Sequence, residues 1–237
     1  MKPSSISAKS PLSTTRVVVS LVLYFLVYNF VIPLILGILT YFIKDQAINN
    51  AIEIVYIVIS MIVFIVLIFP LLKESYQPLK AKPLKTLLVS VQTLPLLFFT
   101  SILFNYFAMF MSQSENSANQ GALMDYLKLN PVSLLLQAII FAPIVEELIF
   151  RGVIYRHFLN GKNKVLMLII SSLAFGSLHV ISSLLLGNYG DLWYLPTYMA
   201  MGLVIAYTYE KTQSIYACIF LHFLNNGISI LLMISGL

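Results

Sequence analysis

Apolar positions in this chain come in long unbroken blocks. They show neither the two-residue alternation of half-buried strands nor the one-sided stripe of soluble helices. Windows of about 20 apolar residues, enough to cross a bilayer as helix, predict seven spans at 17–43, 51–72, 86–111, 131–150, 165–186, 195–209 and 214–237. The fourth is expected to continue as helix toward Phe158, and the sixth is short. Pro33, Pro95 and Pro143 lie inside spans, where a kink is tolerated if neighbours satisfy the freed carbonyls. The longest polar stretch, 112–130, reads as an external loop with a flexible part at 114–121. Residues 76–85 read as a basic, proline-marked loop, either touching anionic headgroups or serving as an orientation signal. The expected fold is an all-α polytopic membrane helical bundle of about seven transmembrane helices. It divides into a polar tail at 1–16, spans and loops over 17–130, and a polar-studded core at 131–237.

Composition agrees. The 237 residues are 59% hydrophobic and 10% charged, with mean hydropathy +0.92; soluble domains carry about 25% charge. The net charge of +5 would suit nucleic acid, but its placement argues against that partner. Lys2, Lys9, Arg16, Lys73, Lys80, Lys82, Lys85, Arg151, Arg156, Lys162, Lys164 and Lys211 fall on one side of the predicted bundle, and only Lys44 and Lys128 on the other. That asymmetry of 12 against 2 is a topology signal. It predicts a multi-pass cell-membrane protein with the N-terminus cytoplasmic and the C-terminus external. The run after Arg16 is longer than a signal-peptide core and lacks an A-x-A site, so it is expected to stay as the first span. A single cysteine, Cys218, excludes an intramolecular disulfide and zinc-finger spacing. No internal repeat is visible.

Three polar groups sit where the bilayer penalises them. The first is Glu146-Glu147 with Arg151, the second Phe175 to His179, the third His222 to Asn226. On a helix Glu147 and Arg151 are i,i+4 neighbours and can pair, while Glu146 turns about 100° away. Phe175 and His179, and likewise His222 and Asn226, share a face at the same spacing. Counted along their helices, Glu146 and His179 lie ~20 Å from the basic boundary, and His222 and Asn226 ~12 and ~18 Å. One layer can hold all four. Ser172 and Gly176 form a small-x-x-x-small pair, so the fifth span is expected to sit centrally against the fourth and seventh. The residue types suit amide hydrolysis, which needs a base to activate water and donors for the oxyanion.

The ordered set E-E-x-x-x-R, F-x-x-x-H and H-x-x-x-N resembles the CPBP family. That family groups type II CAAX prenyl endopeptidases with bacteriocin-processing and self-immunity proteins. The resemblance covers 131–237 and implies an intramembrane endopeptidase. Catalytic roles would fall on Glu146 and His179 for water activation and on His222 and Asn226 for the oxyanion; Glu147, Arg151 and Phe175 would support them. Two accounts of the chemistry stand beside each other. The preferred one requires no cofactor; the other uses a zinc ion held by Glu146, His179 and His222, a donor set with an open position for water. No H-E-x-x-H is present. The expected partners are the lipid bilayer and a membrane-associated or lipidated peptide or protein substrate, cut from the cytoplasmic half of the membrane.

Each residue also has a plainer reading. The doublet and Arg151 could be a buried ion network, the two histidines hydrogen-bonded core residues, and Asn226 a cross-helix bond. Asn225 is expected to pack away from the site and His157 to be solvated. Cys218, His222 and Asn226 form a stripe that one helix cannot fold into a thiol triad. Asp191 lacks a partner aspartate in a span. Tyr194, Tyr198, Tyr207 and Tyr209 read as an interfacial belt. The rival functions are a bacteriocin-immunity or scaffold protein and, from another class, a proton-coupled transporter. The absence of paired inverted repeats weighs against the transporter.

Overall fold

A computed structural model describes residues 10–159 and 163–235 of the chain. Lys2, Lys9 and Lys162 lie outside the described residues, which are helical and contain no strand. Eight helices follow in order: α1 Thr14–Phe42, α2 Gln46–Ala81, α3 Pro83–Ser112, α4 Ala118–Leu129, α5 Pro131–His157, α6 Lys164–Leu185, α7 Leu195–Thr212 and α8 Ile215–Ser235. Six of them, all but α4 and α7, are long and apolar enough to cross a membrane. The protein is thus an all-α multi-pass bundle.

The starts are written into the sequence. Ser13, Asp45, Ser117 and Asn163 each accept a backbone N–H from the first turn of the helix that follows. Pro83, Pro131 and Pro196 occupy first-turn positions where a missing N–H costs nothing. Gln113 and Gln213, at φ 56° and 54°, close α3 and α7 in the left-handed conformation. Pro70 inside α2 supplies no N–H to the Val66 carbonyl, and Arg16 Nη1 donates to that carbonyl at 3.0 Å.

Half of α5's most apolar window is buried, against 6% for α1, so α5 is the axis and α1 the lipid-facing rim. Large apolar side chains exposed along α1, α2 and α3, such as Leu26, Phe30, Val66 and Phe99, form the surface offered to lipid. Helix α6 packs most closely on α7 rather than on α8. A Cβ on Gly202 would come 3.0 Å from the Ser172 Cα, and one on Gly176 3.0 Å from the Met199 nitrogen. The small-residue pair therefore serves the α6–α7 contact. Enclosed by α3, α6 and α8, α7 faces protein rather than lipid. That explains why it is shorter and more polar than its neighbours.

Two expected loops are helical. Helix α2 runs on to Ala81 because its end is docked: Ser75 Oγ accepts the Ile215 N–H at 2.5 Å and Ser214 Oγ donates to the Ser75 carbonyl at 3.0 Å. The segment read as flexible contains the start of α4, pinned at both ends. At its start Ser117 Oγ bonds the Tyr198 hydroxyl at 2.6 Å, and the Ala118 N–H donates to Asp191 Oδ1 at 2.8 Å. At its end Tyr126 donates to the Glu53 carboxylate, and Asn130 Nδ2 donates to Glu53 Oε2 at 2.8 Å. Tertiary partners decide both cases, which local polarity does not reveal.

Candidate active site

Helix α5 carries the doublet. Pro143 and two π-helical stretches, Leu136–Phe141 and Leu148–His157, bracket it. Such widened turns free carbonyls for side chains. Two of them are taken: Asn226 Nδ2 donates to the Ala138 carbonyl at 2.8 Å, and Ser171 Oγ to the Phe150 carbonyl at 2.7 Å.

The second glutamate faces inward. Glu147 Oε1 accepts from Arg151 Nη1 at 3.0 Å and from His222 Nδ1 at 2.9 Å, and all three side chains are buried. Arg151 Nη2 also donates to the Gly202 carbonyl at 2.8 Å, and its guanidinium lies 4.9 Å from the Phe175 ring centroid. One arginine thereby joins α5, α6 and α7, and Glu147 adds α8. Arg151 is a core residue, not a loop one. Arg151 therefore drops out of the charge asymmetry between the loops.

The first glutamate faces a cavity of about 450 Å³, shared with Phe175, His179, His222 and Asn226. The Glu146 Oε2 atom is buried and has no hydrogen-bond partner among the described residues. His179 Nδ1 lies 2.8 Å from the Phe175 carbonyl, which can only accept, so the proton sits on Nδ1 and the lone pair on Nε2. His222 is likewise held through Nδ1, by Glu147, leaving Nε2 as its free ring nitrogen. Phe175 wedges the two imidazoles apart, 4.7 Å from His179 and 5.9 Å from His222.

The structure thus brings the four residues assigned catalytic roles from sequence to one cavity, with Phe175 among them and Glu147 and Arg151 buried behind His222. Asn225 departs from expectation: it lines the cavity and donates to Asn226 Oδ1 at 3.0 Å. Tyr198 departs more. Read as a belt residue, it stacks on His179 with centroids 4.5 Å apart and lines the cavity. Tyr194 and Tyr209 are also buried, while Tyr207 is 44% exposed and fits a belt. Tyr198 and His179 stand on different helices with no common spacing, so no local pattern could pair them. Cys218 is buried outside the cavity, its thiol directed at the Ile205 carbonyl at 3.5 Å. Asp191 anchors α4 and receives the Ser183 hydroxyl at 2.5 Å. Among the described residues, no three His, Cys, Asp or Glu side chains group as ligands of one metal ion.

The cavity sits nearer the lysine-poor end than expected. Its walls come from the first turns of α7, from the α4 end of α3 and from α8 as far as Met233.

An all-helical membrane bundle with this glutamate and histidine constellation is similar to known membrane proteins over part of its length. Residues 128–228 match the family of type II CAAX prenyl endopeptidase Rce1-like proteins, the segment that carries the motifs whose resemblance to the CPBP family is noted above. Among curated proteins it is similar to a Bacillus subtilis (strain 168) protein named "Putative membrane peptidase YdiL". The two are 30% identical over 121 residues, 51% of this chain and 45% of that protein. It is also similar to UPF0177 protein YvdC of Lactococcus lactis subsp. lactis, 29% identical over 131 residues, 55% of this chain and 47% of that one. The chain spans less than half the length of these relatives. No solved structure matches it.

Proposed function

We propose that this protein is an intramembrane endopeptidase that hydrolyses a peptide bond with a water activated by Glu146. The observation that carries the reading is the unpartnered, buried Glu146 Oε2 on a cavity wall shared with two imidazoles, each tied down through Nδ1. A carboxylate oxygen with no protein donor is free to accept from water, and His179 Nε2 can accept the second proton of that water. Attack forms a C–O bond to the scissile carbonyl, while Glu146 takes the water proton. The oxyanion is met by Asn226, whose Nδ2 has a second N–H beyond the one given to Ala138. His222 adds a donor at Nε2 when its ring is protonated, a form for which the Glu147 carboxylate is a partner. Collapse breaks the C–N bond, and Glu146 returns its proton to the leaving amine. No step is routed through a metal ion.

The support is the family, the relative named as a membrane peptidase, and the geometry. The test is Glu146→Gln in purified protein, read by mass spectrometry of a membrane-peptide library. The expected result is cleavage by the wild type and a fall of about 10²–10⁴ in the variant, the range for losing a general base, with unchanged unfolding. A chelator is expected to leave the wild-type rate unaltered. Retained cleavage in Glu146→Gln overturns the mechanism. Proton-coupled uptake abolished by the same variant, with no cleavage by the wild type, would favour a transporter.

A further inference from the structure

Most of the cavity lining comes from the lysine-poor halves of its helices, with Glu146 and His222 near mid-helix at its inner end. On α3 the walls include Ser101 and Asn105, ~27 and ~33 Å from Pro83 at the basic end. On α6 His179 lies ~22 Å from Lys164. On α7 Thr197, Tyr198 and Met201 stand on the turns farthest from Lys211, and on α8 the lining runs out to Met233. Helix α5 lines it from Leu134 to Glu146, and a further wall is the segment from Asn116 into α4, which joins α3 to α5 at that same end. Lys73, Lys80, Lys82, Lys85 and Lys211 all lie at the opposite end. If basic loops mark the cytoplasm, the cavity belongs to the other side.

The lining has a chemical signature as well. Among the described residues it contains no Lys or Arg, and Glu146 is its only carboxylate. Carboxamides are abundant: Asn105, Asn116, Asn119, Gln120 and Gln137 stand above the Asn225–Asn226 pair. Thr197 is 7% exposed, and its hydroxyl has no partner; Ser101 Oγ is buried and likewise unpartnered. Carboxamides and hydroxyls both donate and accept, which matches a peptide backbone that presents an N–H and a C=O at every residue. A carboxylate entering this cavity would find no Lys or Arg in its lining and would face Glu146. The volume, about 450 Å³, lies in the range of small-ligand clefts and suits a short stretch of chain rather than a folded domain.

We propose that the cavity is loaded from the extracytoplasmic face, past α4, by an extended peptide segment that carries no acidic group and whose free C-terminus stays outside. This deepens the peptidase reading and rests on it for what happens to the segment once bound. The face rests on the lining together with the placement of the basic residues, and the charge rule on the lining alone.

The test uses Cys218→Ser, which removes the sole, buried cysteine. Single cysteines are then placed at the cavity wall, Ser229→Cys, and at the basic turn, Lys82→Cys. A membrane-impermeant maleimide added to intact cells is expected to label Ser229→Cys, and to label Lys82→Cys only after permeabilisation. The reverse pattern overturns the proposal. Gln120→Cys repeats the measurement if Ser229→Cys does not accumulate. The second arm adds Glu146→Gln and measures labelling of Ser229→Cys in the presence of neutral decapeptides, N-acetylated and C-amidated. These are expected to slow labelling at least threefold, while the same pool with two central aspartates leaves it unchanged. Equal protection by both pools, or none by the neutral pool, overturns the charge rule. Protection is read in a protein without its base. A wild type that binds but never cuts would therefore sink the peptidase reading and leave this one standing.

Discussion

Arg151→Leu strips the only arginine from a carboxylate with no access to water. Glu147 and Arg151 are both fully buried, with Nη1 and Oε1 3.0 Å apart, and Glu147 Oε2 has no donor among the described residues. At an effective dielectric of about 20 their attraction is of order 5 kcal/mol. Breaking a buried pair by removing one partner costs about 3–5 kcal/mol, because the surviving charge is stranded. The Gly202 carbonyl also loses its donor. Adding Glu147→Gln removes the stranded charge while its amide oxygen still accepts from His222. The double variant should therefore recover to within about 2 kcal/mol of wild type. The assay is reversible unfolding in mixed micelles titrated with a denaturing detergent, run as a double-mutant cycle. Arg151→Leu within about 1 kcal/mol of wild type, or a double variant no more stable than Arg151→Leu, would refute the charged network and the orienting role given to Glu147.

Two further outcomes follow from side chains that bridge helices. Asn226→Ala leaves the Ala138 carbonyl unpaired, for about 1–3 kcal/mol. If its second N–H serves the oxyanion, kcat falls about 10²–10³ with little change in KM; a stability loss with kcat intact would make it a cross-helix bond alone. On α4, burial, followed by the hydrogen bond to the Glu53 carboxylate and its charge, pushes the Tyr126 phenol above its usual value. A raised folded-state value means the bond is fully present below the unfolded value, about pH 10, and is lost as pH climbs beyond it. The difference in melting temperature between wild type and Tyr126→Phe should be constant from pH 7 to about 10 and then shrink; a constant difference at higher pH would contradict the assignment.

What the sequence made legible is what depends on spacing along one helix. Hydropathy located the membrane-crossing helices, and i,i+4 arithmetic placed Glu147 on Arg151 and turned Glu146 away from both. Contacts between helices were less visible. Nothing in the spacing indicates that Glu147 also holds His222, 75 positions later, or that Tyr198 covers His179. Helix α4 is polar enough to read as loop, and it forms because Asp191 and Glu53, one on either side, satisfy its ends. The interior position of α7 was hidden for the opposite reason: a helix surrounded by protein need not be as greasy as one in lipid.

The arginine that joins three helices has its glutamate on its own helix, one turn back. The two opposite charges can therefore meet as soon as that turn winds, before any neighbouring helix has arrived. During biogenesis the segment can partition out of the aqueous channel as a neutralised unit, with Glu146 the remaining acid of the doublet. A cross-helix partner would instead have left a bare guanidinium waiting in hydrocarbon for the rest of the chain to be made.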